Sequence, residues 1–331
     1  MSHDTLFSHD RRAQWWAAAT VPGVCLTGRR MCLDSMLHYD LHTHTFHSDG
    51  TLSPTDLVMR ARQSGVDVLA VTDHDSTSGL GEAQVAAQVA AIVLVPGVEI
   101  SVIWDSHTLH IVGLGIDPGE PTLQAGLAGH LRFRDWRAEE IGRRLERQGI
   151  HGATEGARAR ARGTLVGRTH FARHLAAEGH VRDTREAFAK YLSRGKPGYV
   201  PGQWAGLREA VGWIHAAGGQ AVIAHPARYR FTATRMRRLL AEFRESGGEA
   251  IEVVCGSHSP DDWRHYALLA GHYGLLASCG SDYHGPEAPW MDLGRLPPLP
   301  DSCRPLWGAW GYDGPGAGAG APPAAGAGES G

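Results

Sequence analysis

The chain has 331 residues, 42% of them hydrophobic, and a formal net charge of −3. That length can bury one large core or two smaller ones, and the charge argues against a nucleic-acid coat or a membrane-surface binder as the role of the whole molecule. The five cysteines, Cys25, Cys32, Cys255, Cys279 and Cys303, are odd in number and lack CxxC spacing, which argues against a disulfide framework or a thiolate zinc site and for a reducing compartment, the cytoplasm.

Residues 1–36 show no clear periodicity and read as an extension ahead of a start at Met31 or Met36. A short apolar run there is broken by Pro22 and Gly23, so a secretory leader is not expected. No stretch approaches the roughly 18 apolar residues of a membrane span. Strands are then expected at 37–42, 66–74, 91–101, 109–116, 220–226, 249–256 and 275–282, and helices at 54–64, 78–90, 205–217, 232–246 and 260–273. Ser53 followed by Pro54 is a good helix start, an N-cap hydroxyl and a proline at the first helical position. Such alternation predicts an α/β fold with a largely parallel sheet, open or closed into a barrel. Ser101 to Thr108 leaves no room for a crossover helix, so the third and fourth strands should meet in a hairpin-like turn.

Residues 120–200 break the alternation. Between His130 and Arg173 stand eleven arginines and five acidic residues, which predicts an inserted helical subdomain with a basic face. For most of these arginines a solvated surface is the plainer reading. The sheet-forming parts are then 37–119 and 201–312, and the Gly/Ala/Pro-rich 313–331 should be disordered.

Imidazoles and carboxylates gather at the strand ends. The stretch "LHYDLHTHTFHSDGT" (37–51) carries His42, His44 and Asp49; His74, Glu99, His110, His225, Asp282 and His284 follow at later strand termini. Ligands of parallel α/β folds bind outside the carboxyl ends of strands, and a His-x-His pair on a strand places both rings on one side. Asp282-x-His284 should do the same. These nine donors suit Zn²⁺, Mn²⁺ or Fe²⁺, and are too many for one tetrahedral ion. They suit two or three ions sharing Glu99 or a hydroxide. His38 and His47 read as ordinary rim residues. Asp40 and Asp73, each beside a candidate ligand, are expected to orient imidazoles.

The motifs "DLHTHT", "SDG", "TDH", "PGVEIS", "LHIVGLG", "AHP" and "GSDYH", in order from about 38 to 285, resemble the polymerase-and-histidinol-phosphatase (PHP) family of metal-dependent phosphoesterases. The resemblance implies a distorted seven-stranded β/α barrel with a trinuclear metal centre, and all nine ligand positions are occupied here. "AHPARYR", "EVVCGSHSP", "CGSDYHGP" and the insertion after "GLGID" look like the branch that removes the 3′-phosphate of nucleoside 3′,5′-bisphosphates, some of whose relatives degrade short RNA from the 5′ end. A small nucleotide or an RNA 5′ end is the implied substrate. Mn²⁺ is the first expectation for the metal, with Zn²⁺, Fe²⁺ or Mg²⁺ as alternatives, and no stable protein partner is expected.

Phosphate-ester hydrolysis needs a nucleophile, charge neutralisation and a stabilised leaving oxygen. Ions about 3.5–4 Å apart supply all three, with a bridging hydroxide attacking phosphorus in line. Arg228, three residues after His225, is the leading phosphate clamp, since a guanidinium binds phosphate with two parallel hydrogen bonds. Arg168 and His170, near an expected helix start, would meet a second phosphate or the nucleotide. Lys196 and Tyr199 are weaker candidates for the same task. His258 is a candidate proton donor to the leaving oxygen, against a structural role at the rim. Competing readings are a histidinol-phosphatase-like monoesterase and a non-catalytic or proofreading module. The basic insertion favours a larger, doubly anionic substrate, and the intact ligand set argues against a module without activity.

Overall fold

The computed structural model describes residues 37–163, 165–287 and 291–310. The expectations for 1–36 and for 313–331 lie outside these residues. The strands are β1 (Tyr39–Asp40), β2 (Val68–Val71), β3 (Val93–Trp104), β4 (His107–Leu114), β5 (Ala205–Gly206), β6 (Gln220–Ile223), β7 (Ala250–Cys255) and β8 (Leu276–Gly280). The helices are α1 (Pro54–Gln63), α2 (Leu80–Ala90), α3 (Pro121–Glu146), α4 (Ala153–Arg160), α5 (Arg168–Ala177), α6 (Thr184–Ala187), α7 (Leu207–Ala216), α8 (Ala233–Glu245) and α9 (Pro260–Tyr273). α1 starts as its sequence predicts: Ser53 Oγ accepts from the Asp56 N–H, and Pro54 opens the helix.

Seven strands pair in the order β1-β2-β3-β4-β6-β7-β8, while the two residues of β5 pair with β3 off this path. The two ends meet. The Leu41 N–H donates to the Cys279 carbonyl at 3.0 Å, the Asp282 N–H to His42 at 2.9 Å and the His44 N–H to Tyr283 at 2.9 Å, which closes a barrel. β4 alone runs against its neighbours, antiparallel to both β3 and β6. Its hairpin with β3 turns on Asp105 and Ser106, at φ 46° and 63°. Two successive left-handed residues match the twist of the flanking strands.

Two expected strands have different bounds. β3 runs on past Glu99 and Ser101 to Trp104, because antiparallel pairing with β4 continues to Trp104↔His107, where a parallel neighbour would have ended. β1 is only two residues long, and 41–44 stays extended through its bonds to the segment after β8. Along β2 the two faces separate cleanly. Leu69 and Val71 join the apolar layer shared with α1, α2 and α7–α9, whereas Val68 and Ala70 pack with Val95, Val112, Leu114, Val222 and Leu306.

The helices α3–α6 and the turn after them build their own apolar cluster, including Ile141, Leu145, Phe171, Leu175 and Leu192. Several arginines there pair with neighbouring carboxylates: Arg143 and Arg144 with the buried Glu140, Arg158 with Glu139 and Arg160 with Glu178 at the surface. Arg134 differs. It reaches from α3 to Asp75 on the barrel rim, with Nε 2.8 Å from Asp75 Oδ2, and His130 Nδ1 lies 2.9 Å from Asp75 Oδ1. Asp75 is fully buried and also accepts from the Ser101 N–H. Burial opposes its charge, but Arg134 and His130 outweigh that and hold the carboxyl well below the usual range.

Removing one charge of a buried pair strands the other, at a typical cost of about 3–5 kcal/mol. Asp75→Asn should therefore lower unfolding free energy by about that amount in urea denaturation. A loss of less than about 1 kcal/mol would show that solvent already screens the Arg134 contact.

Candidate metal centre

The side chain of Glu99 is completely buried and sits among five imidazoles. Its Oε2 lies 3.3 Å from His42 Nε2, 3.3 Å from His44 Nε2 and 2.9 Å from His74 Nδ1. Its Oε1 lies 2.8 Å from His110 Nδ1 and 2.9 Å from His225 Nε2. On one flank Asp282 Oδ1 approaches His44 Nε2 at 3.3 Å and His42 Nε2 at 3.6 Å. On the other, Asp49 Oδ1 lies 3.1 Å from His284 Nε2 and 3.9 Å from His74 Nε2. All nine residues singled out in the sequence come together. They form four overlapping groups, His44/Asp49/His74/His284, His42/Glu99/His225, His42/His44/Asp282 and His74/Glu99/His110, each with its donor atoms within 4.8 Å of one another.

The backbone explains the convergence. β4 is reversed, so its first half reaches the rim where its neighbours end. Residue 112 faces Glu99 across the hairpin, and His110, two residues away on the same face, meets Glu99 diagonally. Asp282 and His284 do not use strand alternation, contrary to the period-two expectation. β8 ends at Gly280, and Asp282 is left-handed at φ 56°. His225 is left-handed too, at φ 30°. Non-glycine residues in this region cost of order 1–3 kcal/mol each and persist where the surroundings impose them. At Gly280 the chain passes so near His42 that a Cβ would lie 2.2 Å from the His42 Cβ.

Three rings are pinned at Nδ1, which turns Nε2 to the centre. His42 Nδ1 is 2.7 Å from Glu252 Oε1, His284 Nδ1 is 2.8 Å from the Asp282 carbonyl, and His44 Nδ1 is 3.3 Å from Ser48 Oγ. Glu252, buried in β7, also accepts from the His225 N–H. Among the described residues Asp40 and Asp73 hydrogen-bond to no imidazole directly: Asp40 accepts from the Ser281 N–H, and Asp73 accepts from the Thr45 N–H, Thr45 Oγ1 and Ser48 Oγ, the last of which carries its hold on to His44.

The residues fit divalent metal ions. Asp49 Oδ1, Glu99 Oε2 and His74 Nδ1 are buried without a hydrogen bond, and polar atoms left unsatisfied together at one spot are what bound cations would satisfy. The donors are nitrogen and carboxylate oxygen, with no thiolate among them. The charges say the same. Burial works against a charged His42, yet Glu252, Glu99 and Asp282 raise it well above the imidazole range. Burial likewise opposes a charged His44, which Asp282 and Glu99 bring up to about 10. His225 is driven down to about 4, first by burial and then by Arg228. Three carboxylates thus require positive charge, which protons on His42 and His44 meet. Divalent ions at the same nitrogens displace those protons, so loading weakens as pH falls.

Around the centre the other predicted residues divide. Arg228 is half-exposed, with Nη1 on Asp282 Oδ2. Arg168 is half-buried at the start of α5, lies over the Phe188 ring and feels the charge of Asp49. His170 is buried, and its Nδ1 accepts from the Gly167 N–H, so that nitrogen is committed to the helix start. Lys196 is exposed on the turn after α6. His258 has the bonding of the structural alternative. Its Nδ1 is 3.0 Å from the Val253 carbonyl and its Nε2 accepts from the Ala227 N–H at 3.4 Å. Both nitrogens serve the backbone, and the ring ties the Arg228 turn to β7. Sequence reasoning missed Glu252, whose only signal is a lone acid inside an apolar run, and Thr169, which donates to Asp49 Oδ2 at 2.8 Å.

Barrel, rim cluster and orphaned donors define a metal-dependent phosphoesterase, and the chain belongs to the PHP family: the model of the PHP domain matches residues 40–194. The chain is 51% identical over 273 residues to a 3′,5′-nucleoside bisphosphate phosphatase of Chromobacterium violaceum, covering 82% of this chain and 96% of that protein. It is 45% identical over 274 residues to the 5′-3′ exoribonuclease Rnm of Escherichia coli, covering 82% and 93%. A solved structure of an amidohydrolase from Chromobacterium violaceum, with bound sulfate and no metal, superposes with a TM-score of 0.79 at 50% identity, covering 82% of this chain and 94% of that one.

Carboxylates that orient metal-binding imidazoles are commonly worth about 10–100-fold in metal affinity. Glu252→Gln should weaken Mn²⁺ binding by about that factor in equilibrium dialysis, and His42→Ala should abolish metal-dependent turnover with the fold retained. Wild-type affinity in Glu252→Gln would mean that His42 needs no such partner.

Proposed function

We propose that the protein hydrolyses the 3′-phosphate of nucleoside 3′,5′-bisphosphates, with His42, His44, Asp49, His74, Glu99, His110, His225, Asp282 and His284 holding two or three divalent ions, Mn²⁺ first among them. The observation that carries this reading is the 51% identity to a 3′,5′-nucleoside bisphosphate phosphatase across nearly its whole length, joined to a donor cluster without a missing position. A second reading, removal of nucleotides from short RNA 5′ ends, is favoured by the 45% identity to Rnm. The barrel would comprise 37–119 and 201–312, with 120–200 as a cap over its mouth.

Bound ions would supply Lewis acidity and an acidic water at neutral pH. The chain's own groups do the rest. Arg228 stands at the edge of the cluster on Asp282, where its fork can take non-bridging phosphate oxygens while Asp282 holds it in place. Arg168 belongs to the insertion, at the start of α5. In this reading it meets a second anionic group, which a mononucleotide bisphosphate or a 5′-phosphorylated RNA carries and histidinol phosphate lacks. Among the described residues no helix is long and apolar enough to cross a membrane. Cys255, Cys279 and Cys303 are free thiols, which agrees with a cytoplasmic place of action.

Phosphate release with Mn²⁺ separates the readings. Adenosine 3′,5′-bisphosphate should yield phosphate and leave adenosine 5′-monophosphate intact. Stepwise mononucleotides from a 5′-phosphorylated RNA would select the second reading, and turnover of histidinol phosphate alone would overturn both. Arg228→Ala should cost about 2 kcal/mol, roughly 30-fold in kcat/KM, at unchanged metal content.

A further inference from the structure

The insertion touches the metal-bearing rim at more places than a lid needs. Thr169 Oγ1, in α5, donates to Asp49 Oδ2 at 2.8 Å. Arg173 Nη2, one turn on, donates to the Asp49 carbonyl at 2.9 Å. Arg162 Nη1 donates to the Thr51 carbonyl at 3.2 Å. Gly163 passes so close to the same loop that a Cβ there would lie 2.4 Å from the Phe46 carbonyl oxygen. All four contacts fall on residues 46–51, the loop that carries Asp49 between His44 and α1.

The two oxygens of Asp49 are treated differently. Oδ2 is taken by Thr169, while Oδ1 is buried, makes no hydrogen bond and lies nearest His284 Nε2 and His74 Nε2. A hydroxyl has one proton to give, and giving it to Oδ2 fixes the carboxylate plane. Oδ1 is then left for an ion shared with His44, His74 and His284. All four donors in that group stand on the barrel. The insertion's part in it is one hydroxyl and one guanidinium, acting through Asp49.

Resting on the metal reading above, we infer that Thr169 is a positioning residue for the ion held by His44, Asp49, His74 and His284, so that this corner of the metal centre is complete only with the insertion seated. Coupling of this kind is reciprocal: occupancy of that corner and seating of α5 favour each other.

The test is Mn²⁺ binding by equilibrium dialysis on the full chain, for wild type, Thr169→Val, Thr169→Ser and Ala177→Gln, with kcat and KM for a phosphate ester measured in parallel. Thr169→Val should weaken the most loosely held ion by about 10–100-fold, leave the remaining ions in place, and lower kcat more than KM at limiting Mn²⁺. Thr169→Ser restores the hydroxyl and should restore the ion. Ala177→Gln, on the exposed end of the same helix, should keep wild-type metal content, which separates loss of the hydroxyl from general disturbance of α5. Wild-type affinity in a folded Thr169→Val protein overturns the inference and leaves the metal reading standing. A wild-type protein that binds no Mn²⁺, Zn²⁺ or Fe²⁺ overturns both.

Discussion

A carboxylate buried in the mouth of an apolar barrel is the constraint around which this molecule is arranged. Glu99 has no exposed surface, and an ionised group so placed persists only where opposite charge surrounds it. Five imidazole nitrogens within 3.3 Å provide the setting. To bring them there, the chain departs from a regular parallel barrel. β4 is reversed so that His110 arrives at the rim, and His225 and Asp282 accept left-handed backbone just past their strands. These distortions are local, and each delivers one donor to the same small volume.

A surrounding layer then fixes how the donors face. Glu252 holds His42 from within β7, the Asp282 carbonyl holds His284, and Thr169 and Arg173 hold Asp49 from the insertion. Asp75, one residue after His74, receives Arg134 and His130 from α3. The barrel supplies the donors, and α3 and α5 brace two of the loops that carry them. Insertion and metal centre are therefore joined by hydrogen bonds at both loops.

Much of this was legible in the sequence because the donors are adjacent to strand ends, where a short apolar run stops and a polar residue begins. His42, His44, His74 and His225 are read that way, and the missing crossover length between Ser101 and Thr108 reveals the hairpin. What was not legible depends on partners distant in the chain. Glu252 lies 210 positions from His42, and inside "EAIEVVCG" it looks like an ordinary strand residue. Asp75 and Arg134 are 59 positions apart, and nothing in either neighbourhood names the other. His258 misleads for the converse reason. A histidine near a strand end looks available, and only the fold shows both ring nitrogens bonded to backbone. The extent of β3 was underestimated because antiparallel pairing, which carries it to Trp104, is a property of its neighbour.

The most direct test of the account is the anomalous scattering of crystals grown with Mn²⁺. At least two peaks about 3.5–4 Å apart, with the Glu99 carboxylate between them and His42, His44, His74, His110 and His225 around them, are the expected result. A single peak away from Glu99, or no peak at the Glu99 carboxylate with Mn²⁺ bound elsewhere, would contradict it.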